Sequence, residues 1–267
     1  MTNFEMITVE INGGMGKLRL NRPDIRNALN PQMIGEITDA FTVLSDDALV
    51  RVIVIDGMGD TFCAGGDLNW MKDVLGQSEA EVMEDSRHLL NMYHAIHSCP
   101  KLVISAVQGA AIAGALGILS CSDVVIAEAK TVFCLSEVKI GLVPGIVGAF
   151  LIPKLGLSWF RYFAKTGIAF NTEIARTAGL IHEIADGINT VEERVDKHIK
   201  LALSASPDAI AKTNDLIGSI GYKLEQDALS TGLLFNAQAR LSEEAQEGIS
   251  SFLDKREPAW HLDPKPK

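Results

Sequence analysis

The chain has 267 residues, of which 47% are hydrophobic and 22% charged, and its formal net charge is −10 at pH 7. This composition is typical of one large globular domain, or of one domain with a small appendage. The acidic balance argues against nucleic acid as a partner, because phosphate binding needs a concentrated basic surface.

Three features of the sequence indicate the cellular compartment of the protein: its cysteines, its apolar runs and residues 1–10. Cys63, Cys99, Cys121 and Cys134 stand in apolar contexts without CxxC spacing, which favours buried, reduced thiols over a metal site. The apolar runs are interrupted before the roughly 20 residues that a membrane span requires. Residues 1–10 lack a basic segment followed by an apolar stretch, so no secretory signal is visible. We therefore expect a cytoplasmic protein with no membrane association and no metal.

Strands and helices alternate along the first half of the chain. A hairpin about Asn12-Gly13-Gly14 begins it, and Asn30-Pro31 predicts a helix start. Hydrophobic periodicity predicts strands at 6–10, 17–20, 51–56, 102–107 and 123–127, and helices at 31–45, 79–97 and 113–121. This alternation indicates an α/β fold with crossover helices.

After Pro144 the predicted elements are mostly helical. Helices are expected at 145–155, 158–166, 172–178, 190–204 and 207–220, with one short strand at 180–184. Residues 224–255 are helical in character, with interruptions around Gly232 and Gly248. The change in composition near residue 190 predicts a core at 1–190 and a helical C-terminal region at 191–267.

Three segments could carry chemistry, and the first is Phe62–Asp67. Ala64, Gly65 and Gly66 leave little side-chain bulk, so a backbone N–H could point at a ligand there. The alternative is a plain turn from strand to helix, with Asp67 as the helix cap.

The second segment runs from Gly109 to Gly117 and is made almost entirely of small residues. A helix that begins here has N–H groups without helical partners, and these can stabilise an anion. The alternative is that the small residues serve close helix packing only.

The third is Glu137, a lone acid in the mostly apolar segment 133–144. A partly buried carboxyl has a raised pKa and can exchange a proton near neutral pH. The alternative is a solvent-facing acid paired with Lys139.

Together, the three segments resemble the enoyl-CoA hydratase/isomerase (crotonase) superfamily. The resemblance covers nearly the whole chain, and the residues that carry it are Leu20–Asp24, Asn27–Leu29, Phe62–Asp67, Gly109–Asp123, Ser136–Glu137, Leu142–Pro144 and Phe252–Arg256. It implies an α/β fold with a crotonase-like ββα spiral core and a helical C-terminal trimerisation region. It also implies homotrimers or hexamers, and an acyl-CoA thioester as substrate with no other cofactor.

The resemblance also implies roles for individual residues. It places the oxyanion hole on the backbone N–H groups of Ala64 and Gly114. The second of the family's two glutamates matches Glu137, whereas the first falls on Gly117, which has no side chain. The local sequence around these positions resembles that of hydratases that act on 3-substituted glutaconyl-CoAs. The hypothesis is that Glu137 moves the protons, while the substrate's own carboxylate or a water fills the space at Gly117.

Other functions remain open at this point. One carboxylate suffices for an enoyl-CoA isomerase, and a decarboxylase of a carboxylated acyl-CoA or a non-catalytic CoA-binding or RNA-binding protein are further alternatives. The resemblance implies that the CoA lies between the 62–67 turn and the strand at Lys101. The residues expected to bind it are Arg22, Arg26, Ala64, Gly65, Gly66, Asp67, Leu68, Lys101, Gly114 and Lys255.

Overall fold

The computed structural model describes residues 4–220 and 226–259, and two sheets organise that part of the chain. The large sheet has the order β1-β2-β3-β4-β6-β9, from β1 (Ile7–Asn12), β2 (Met15–Leu20), β3 (Val52–Gly57), β4 (Leu102–Val107), β6 (Val124–Glu128) and β9 (Glu183–Ala185). The small sheet has the order β5-β7-β8, from β5 (Ala110–Ile112), β7 (Val132–Cys134) and β8 (Ala169–Asn171).

The predicted hairpin and the parallel crossovers are confirmed. Strands β1 and β2 pair antiparallel, with Ile7 opposite Leu20, and the other pairs in the large sheet are parallel. The connections between parallel strands contain helices, as an α/β fold requires. The fold class is therefore α/β, with helices continuing to the C-terminal part of the described chain.

The helices begin at local capping signals. Asn30 Oδ1 accepts the Met33 N–H at 2.8 Å, and Ser78 forms a capping box with Glu81. The helices are α1 (Pro31–Asp46), α2 (Leu68–Val74), α3 (Glu79–His97), α4 (Gly114–Cys121), α5 (Gly145–Thr166), α6 (Thr172–Thr177), α7 (Ile188–Ser204), α8 (Pro207–Ile220), α9 (Gln226–Leu241) and α10 (Glu243–Leu253).

The large sheet separates two apolar layers. Successive side chains of a strand point to opposite faces, so Ile53 and Ile55 pack with the layer that contains α1, α3, α4 and α5. Val52 and Val54 pack with α7 on the other face. This explains why residues 52–55 are apolar without alternation.

Several element boundaries differ from the predictions. The three strands of the small sheet were not predicted, because each has only three residues. The strand expected at 180–184 lies at 183–185, since Leu180 and Ile181 are buried in the turn after α6. The break expected after residue 155 is a kink within α5, at Gly156, whose φ is +72°.

The four cysteines are buried, as their apolar contexts predicted, and none forms a disulfide. Among the described residues, no helix combines the length and apolar character needed to cross a membrane.

The C-terminal helices dock onto the core through backbone contacts at glycines. A Cβ on Gly248 would lie 2.6 Å from the backbone of Ile140, and one on Gly232 would lie 2.7 Å from the Gly145 carbonyl oxygen. The interruptions noted at Gly232 and Gly248 are thus positions of close packing. The predicted segment 224–255 forms α9 and α10, which meet at Ser242, and its residues 224–225 lie outside the described part.

We expect Gly248→Val to lower the free energy of unfolding by about 1–3 kcal/mol, because overpacking forces α10 away from Ile140. Urea denaturation measures this. Gly35→Ala is the control, since a Cβ at Gly35 meets nothing within 4 Å and α1 should gain about 0.5–1 kcal/mol. Equal stability of Gly248→Val and the wild type would show that α10 does not depend on this contact.

Candidate active site

Two adjoining cavities lie where the 62–67 turn meets the start of α4. The outer cavity has a volume of about 830 Å³, and the inner one about 120 Å³. Gly66, Ala113 and Ser136 line both. The inner cavity is small compared with the roughly 300–1,000 Å³ of typical ligand sites. It therefore suits a short chemical group, with the rest of a larger molecule in the outer cavity.

The 62–67 turn is held by the segment that precedes α1. The Leu29 N–H donates to the Gly65 carbonyl at 2.7 Å, and the Asp67 N–H donates to the Leu29 carbonyl at 2.8 Å. Asp67 also accepts the Asn69 N–H at 2.7 Å, so it caps α2. Arg22 forms an ion pair with Asp67 at 2.7 Å, and both side chains of this pair are mostly buried. The turn is thus fixed on both sides.

The Ala64 N–H is not free in this structure, because it donates to the Arg26 carbonyl at 2.9 Å. The expected use of Ala64 as an oxyanion donor therefore conflicts with a bond inside the fold. The N–H groups of Gly66 and Gly114 have no hydrogen-bond acceptor within the described parts of the chain. Gly65 stands between Ala64 and Gly66 with a φ of +94°, and it changes the direction of the backbone there. The available pair of donors is Gly66 and Gly114.

The start of α4 has an unusual backbone conformation. Ala113 precedes Gly114 with a φ of +48° and a ψ of −114°, a region that residues with a side chain rarely adopt. The Ala113 N–H donates to the Cys134 carbonyl at 2.8 Å, and the Tyr93 hydroxyl donates to the Gly114 carbonyl at 2.7 Å. These bonds hold the strained peptide that carries the Gly114 N–H.

The space beside Gly117 is filled by a tyrosine. A Cβ on Gly117 would lie 2.4 Å from Cζ of Tyr93, which is fully buried. The hypothesis that a substrate carboxylate or a water occupies this space is therefore wrong, because the ring already takes it up. At this position the small residue serves close packing.

Glu137 begins a short 3-10 helix, Glu137–Ile140, and lines the inner cavity. Its Oε2 atom is buried and has no hydrogen-bond partner. Burial raises the pKa of this carboxyl from 4.5 to about 7, and the lowering by its own backbone N–H is smaller. The described ion pairs do not include one with Lys139. The carboxyl can therefore exchange a proton near neutral pH.

The residues expected to bind CoA divide between different places. Arg26, Ala64, Gly66, Asp67 and Leu68 line the outer cavity. Gly114 lines the inner cavity, and Gly65 and Arg22 support the turn.

Two expected cationic partners lie elsewhere. Lys101 donates from Nζ to the carbonyls of Leu44 and Asp47 at the end of α1, beside a separate cleft. Lys255 is exposed and does not line the outer cavity, whereas its neighbour Arg256 does.

Sequence reasoning missed the residues that reach the cavities from distant segments. Trp70, Asn236 and Arg240 line the inner cavity, and Lys139 and Arg256 line the outer one. Asn236 and Arg240 are four residues apart on α9, and only that spacing could have indicated that they share a face.

Comparisons with known proteins find similar sequences and similar folds. A family model described as enoyl-CoA hydratase/isomerase matches residues 10–263. The chain is 30% identical to crotonyl-CoA hydratase of Syntrophomonas wolfei over 95% of this chain and 96% of that protein. It is 26% identical to trans-2-decenoyl-acyl-carrier-protein isomerase of Streptococcus mutans over 97% of this chain and 98% of that protein. A crystal structure of an enoyl-CoA hydratase from Shewanella pealeana has a TM-score of 0.80 at 31% identity, covering 96% of each chain.

We expect Gly117→Ala to lower the free energy of unfolding by about 1–3 kcal/mol, because the added methyl collides with the confined ring of Tyr93. In a Tyr93→Leu background the same change should cost less, and denaturation of all four proteins gives the coupling. Gly76→Ala is the control, since its Cβ would meet nothing within 4 Å. Additive effects of the two substitutions would refute the contact.

Proposed function

We propose, because the chain belongs to the enoyl-CoA hydratase/isomerase family, that it adds water to the double bond of a short 2-enoyl-CoA thioester. One observation carries this proposal. Glu137 presents a buried oxygen without a partner in a cavity that also contains the N–H groups of Gly66 and Gly114 without acceptors. A base near neutrality and a pair of oxyanion donors are the two parts that the reaction needs.

In this proposal the thioester carbonyl oxygen accepts hydrogen bonds from Gly66 and Gly114. Negative charge develops on that oxygen during the reaction, and loss of one such donor typically lowers the rate roughly 100- to 1,000-fold. The CoA portion occupies the outer cavity, whose cationic side chains are Arg26, Lys139 and Arg256. Arg26 was expected from the sequence, and Lys139 and Arg256 replace Lys101 and Lys255 among the proposed CoA-binding residues. No other cofactor takes part.

A single carboxylate can perform the whole addition. The carboxylate of Glu137 removes a proton from water, whose oxygen forms a bond to C3 of the enoyl group. The electrons of the double bond move toward the thioester oxygen, where the two N–H groups stabilise the enolate. Glu137 then returns its proton to C2. The same residue thus serves as base and then as acid.

The acyl group in this proposal is short and branched, and a 3-substituted glutaconyl group is the first candidate. The inner cavity of about 120 Å³ supports a short group. The local sequence around Gly117 and Glu137 supports a glutaconyl-type acyl group.

A second candidate is an enoyl-CoA isomerase. The packing of Tyr93 against Gly117 favours it, because no second carboxyl is available at that position to help activate a water. Glu137 would then move a proton from C2 to C4 of a 3-enoyl thioester, with the same oxyanion donors.

We also infer that the chain forms homotrimers, which could pair into hexamers. Apolar side chains on α8 and α9 are exposed in a single copy, among them Leu216, Ile217, Leu234 and Phe235. Exposed apolar patches of this kind are typical of surfaces that bind another protein.

Glu137→Gln should reduce turnover at least 100-fold and leave the binding of a saturated acyl-CoA intact, because it removes the acid and base but not the donors. For the wild type, kcat/KM should rise with pH through about 7, since the carboxylate form is the working base. Crotonyl-, 3-methylcrotonyl-, 3-methylglutaconyl- and 3-enoyl-CoA would be assayed in H₂¹⁸O. Incorporation of heavy oxygen identifies hydration, and conversion of the 3-enoyl thioester without it identifies isomerisation.

Glu173→Gln serves as the control for Glu137→Gln, because Glu173 is an exposed residue at the start of α6. Near-full activity of Glu137→Gln would exclude the proposed mechanism.

Light scattering after size exclusion should give three or six times the 28.8 kDa of one chain. Phe235→Asp should lower that mass, because it places a charge on the exposed apolar face of α9. A monomeric wild type would refute self-association.

A further inference from the structure

Arg240 lies in the last turn of α9 and lines the inner cavity together with Asn236. Only 7% of the residue is exposed. Much of the remaining wall is apolar, formed by side chains such as Trp70, Met71 and Val74. A guanidinium carries five N–H donors and stays charged, so its burial beside an apolar cavity needs a reason.

The internal partners of Arg240 hold its guanidinium only through long contacts. Its Nη2 lies 3.4 Å from Asp85 Oδ2 and its Nη1 lies 3.4 Å from Ser86 Oγ, both at the long end of hydrogen bonding. By contrast, Arg19 contacts Asp56 with two bonds of 2.8 and 2.7 Å. The ion pair of Arg240 with Asp85 is therefore longer and looser than that of Arg19 with Asp56.

Asp85 does not depend on Arg240 for its hydrogen bonds. Its Oδ2 accepts from Trp70 Nε1 at 2.9 Å and from Gln77 Nε2 at 3.3 Å. The Arg240 guanidinium lies over the Trp70 ring, with Cζ 5.3 Å from the ring centroid. The guanidinium can thus turn toward an acceptor in the cavity without leaving Asp85 unpaired.

We propose that Arg240 is a specificity-determining residue that binds a carboxylate at the end of the acyl group remote from the thioester. The substrate is then the CoA thioester of a short dicarboxylic acid. An arginine matches a carboxylate because two parallel N–H donors meet its two oxygens. This assignment rests on the proposed function, since it takes the inner cavity to be the acyl site.

The test compares thioesters of equal length with and without the terminal charge. Glutaryl-CoA and valeryl-CoA are saturated probes for calorimetry, and glutaconyl-CoA and 2-pentenoyl-CoA are the substrates for kinetics. The wild type should bind glutaryl-CoA at least 10-fold more tightly than valeryl-CoA. Arg240→Leu should abolish this preference, lower kcat/KM for glutaconyl-CoA roughly 10- to 100-fold and leave 2-pentenoyl-CoA within about 3-fold of the wild type.

The controls separate recognition from folding. Arg240→Lys keeps the charge but not the paired donors, so it should retain part of the preference. Arg87→Leu removes an exposed arginine of α3. It should change neither the binding preference between the saturated probes nor the kinetic preference between the two substrates. If Arg240→Leu does not fold, the wild-type preference and its reduction in Arg240→Lys decide the question.

Two outcomes distinguish this assignment from the proposed function. If the wild type prefers glutaryl-CoA through Arg240 but turns over neither substrate, the proposed reaction fails and the carboxylate site stands. If the wild type hydrates both substrates and binds both saturated probes equally, the reaction stands and the carboxylate site is overturned. Equal losses on both thioesters in Arg240→Leu would likewise assign Arg240 a structural role only.

Discussion

The site depends on one backbone arrangement, the bridge between Leu29 and the 62–67 turn. The Leu29 N–H donates to the Gly65 carbonyl, and the Leu29 carbonyl accepts from the Asp67 N–H. These two bonds form a parallel β-bridge between Leu29 and Gly66, which fixes the backbone of the turn. The ion pair from Arg22 to Asp67 locks the same turn from its other side. The amide of Gly66 is thereby left without an acceptor, at a wall shared by both cavities. A donor fixed in this way needs no reorganisation when charge develops on a bound oxygen.

The catalytic group and its cover come from distant parts of the chain. The 3-10 helix that begins with Glu137 is covered by α10, where Gly248 allows the backbone of α10 to approach that of Ile140. This cover removes water from around the carboxyl, and desolvation is the largest cause of its raised pKa. Helix α9 packs in the same way against the start of α5, through Gly232 and Gly145. Helix α9 brings Asn236 and Arg240 to the inner cavity. Packing and chemistry are therefore coupled, because a shift of α10, which contacts the Glu137 segment and contributes Ile249 to the cavity, would change both the proton affinity of Glu137 and the shape of the cavity.

Local patterns predicted much of the fold and part of the site. Helix 79–97 and strand 102–107 have the expected bounds, because capping and apolar periodicity act over a few residues. Glu137 was identified because a lone acid in an apolar segment is a local signal. The exchange of Ala64 for Gly66 as donor was not predictable, since it depends on which carbonyl meets each amide in three dimensions. The fit of Tyr93 against Gly117 likewise joins residues that are 24 positions apart.

Keeping Glu137 unpaired opposes folding above acidic pH. Its pKa is about 7 in the folded chain and about 4.5 when exposed, so the folded state holds the proton more tightly. The contribution of Glu137 to the free energy of unfolding is greatest below pH 4.5, where the carboxyl is protonated in both states. It falls as the pH rises and is fully lost once the pH has passed 7. The loss amounts to roughly 3 kcal/mol at most. Between these two pH values, folding takes up a proton from solution. Burial of the reactive carboxyl therefore has a free-energy cost that rises with pH, and the rest of the core must offset it.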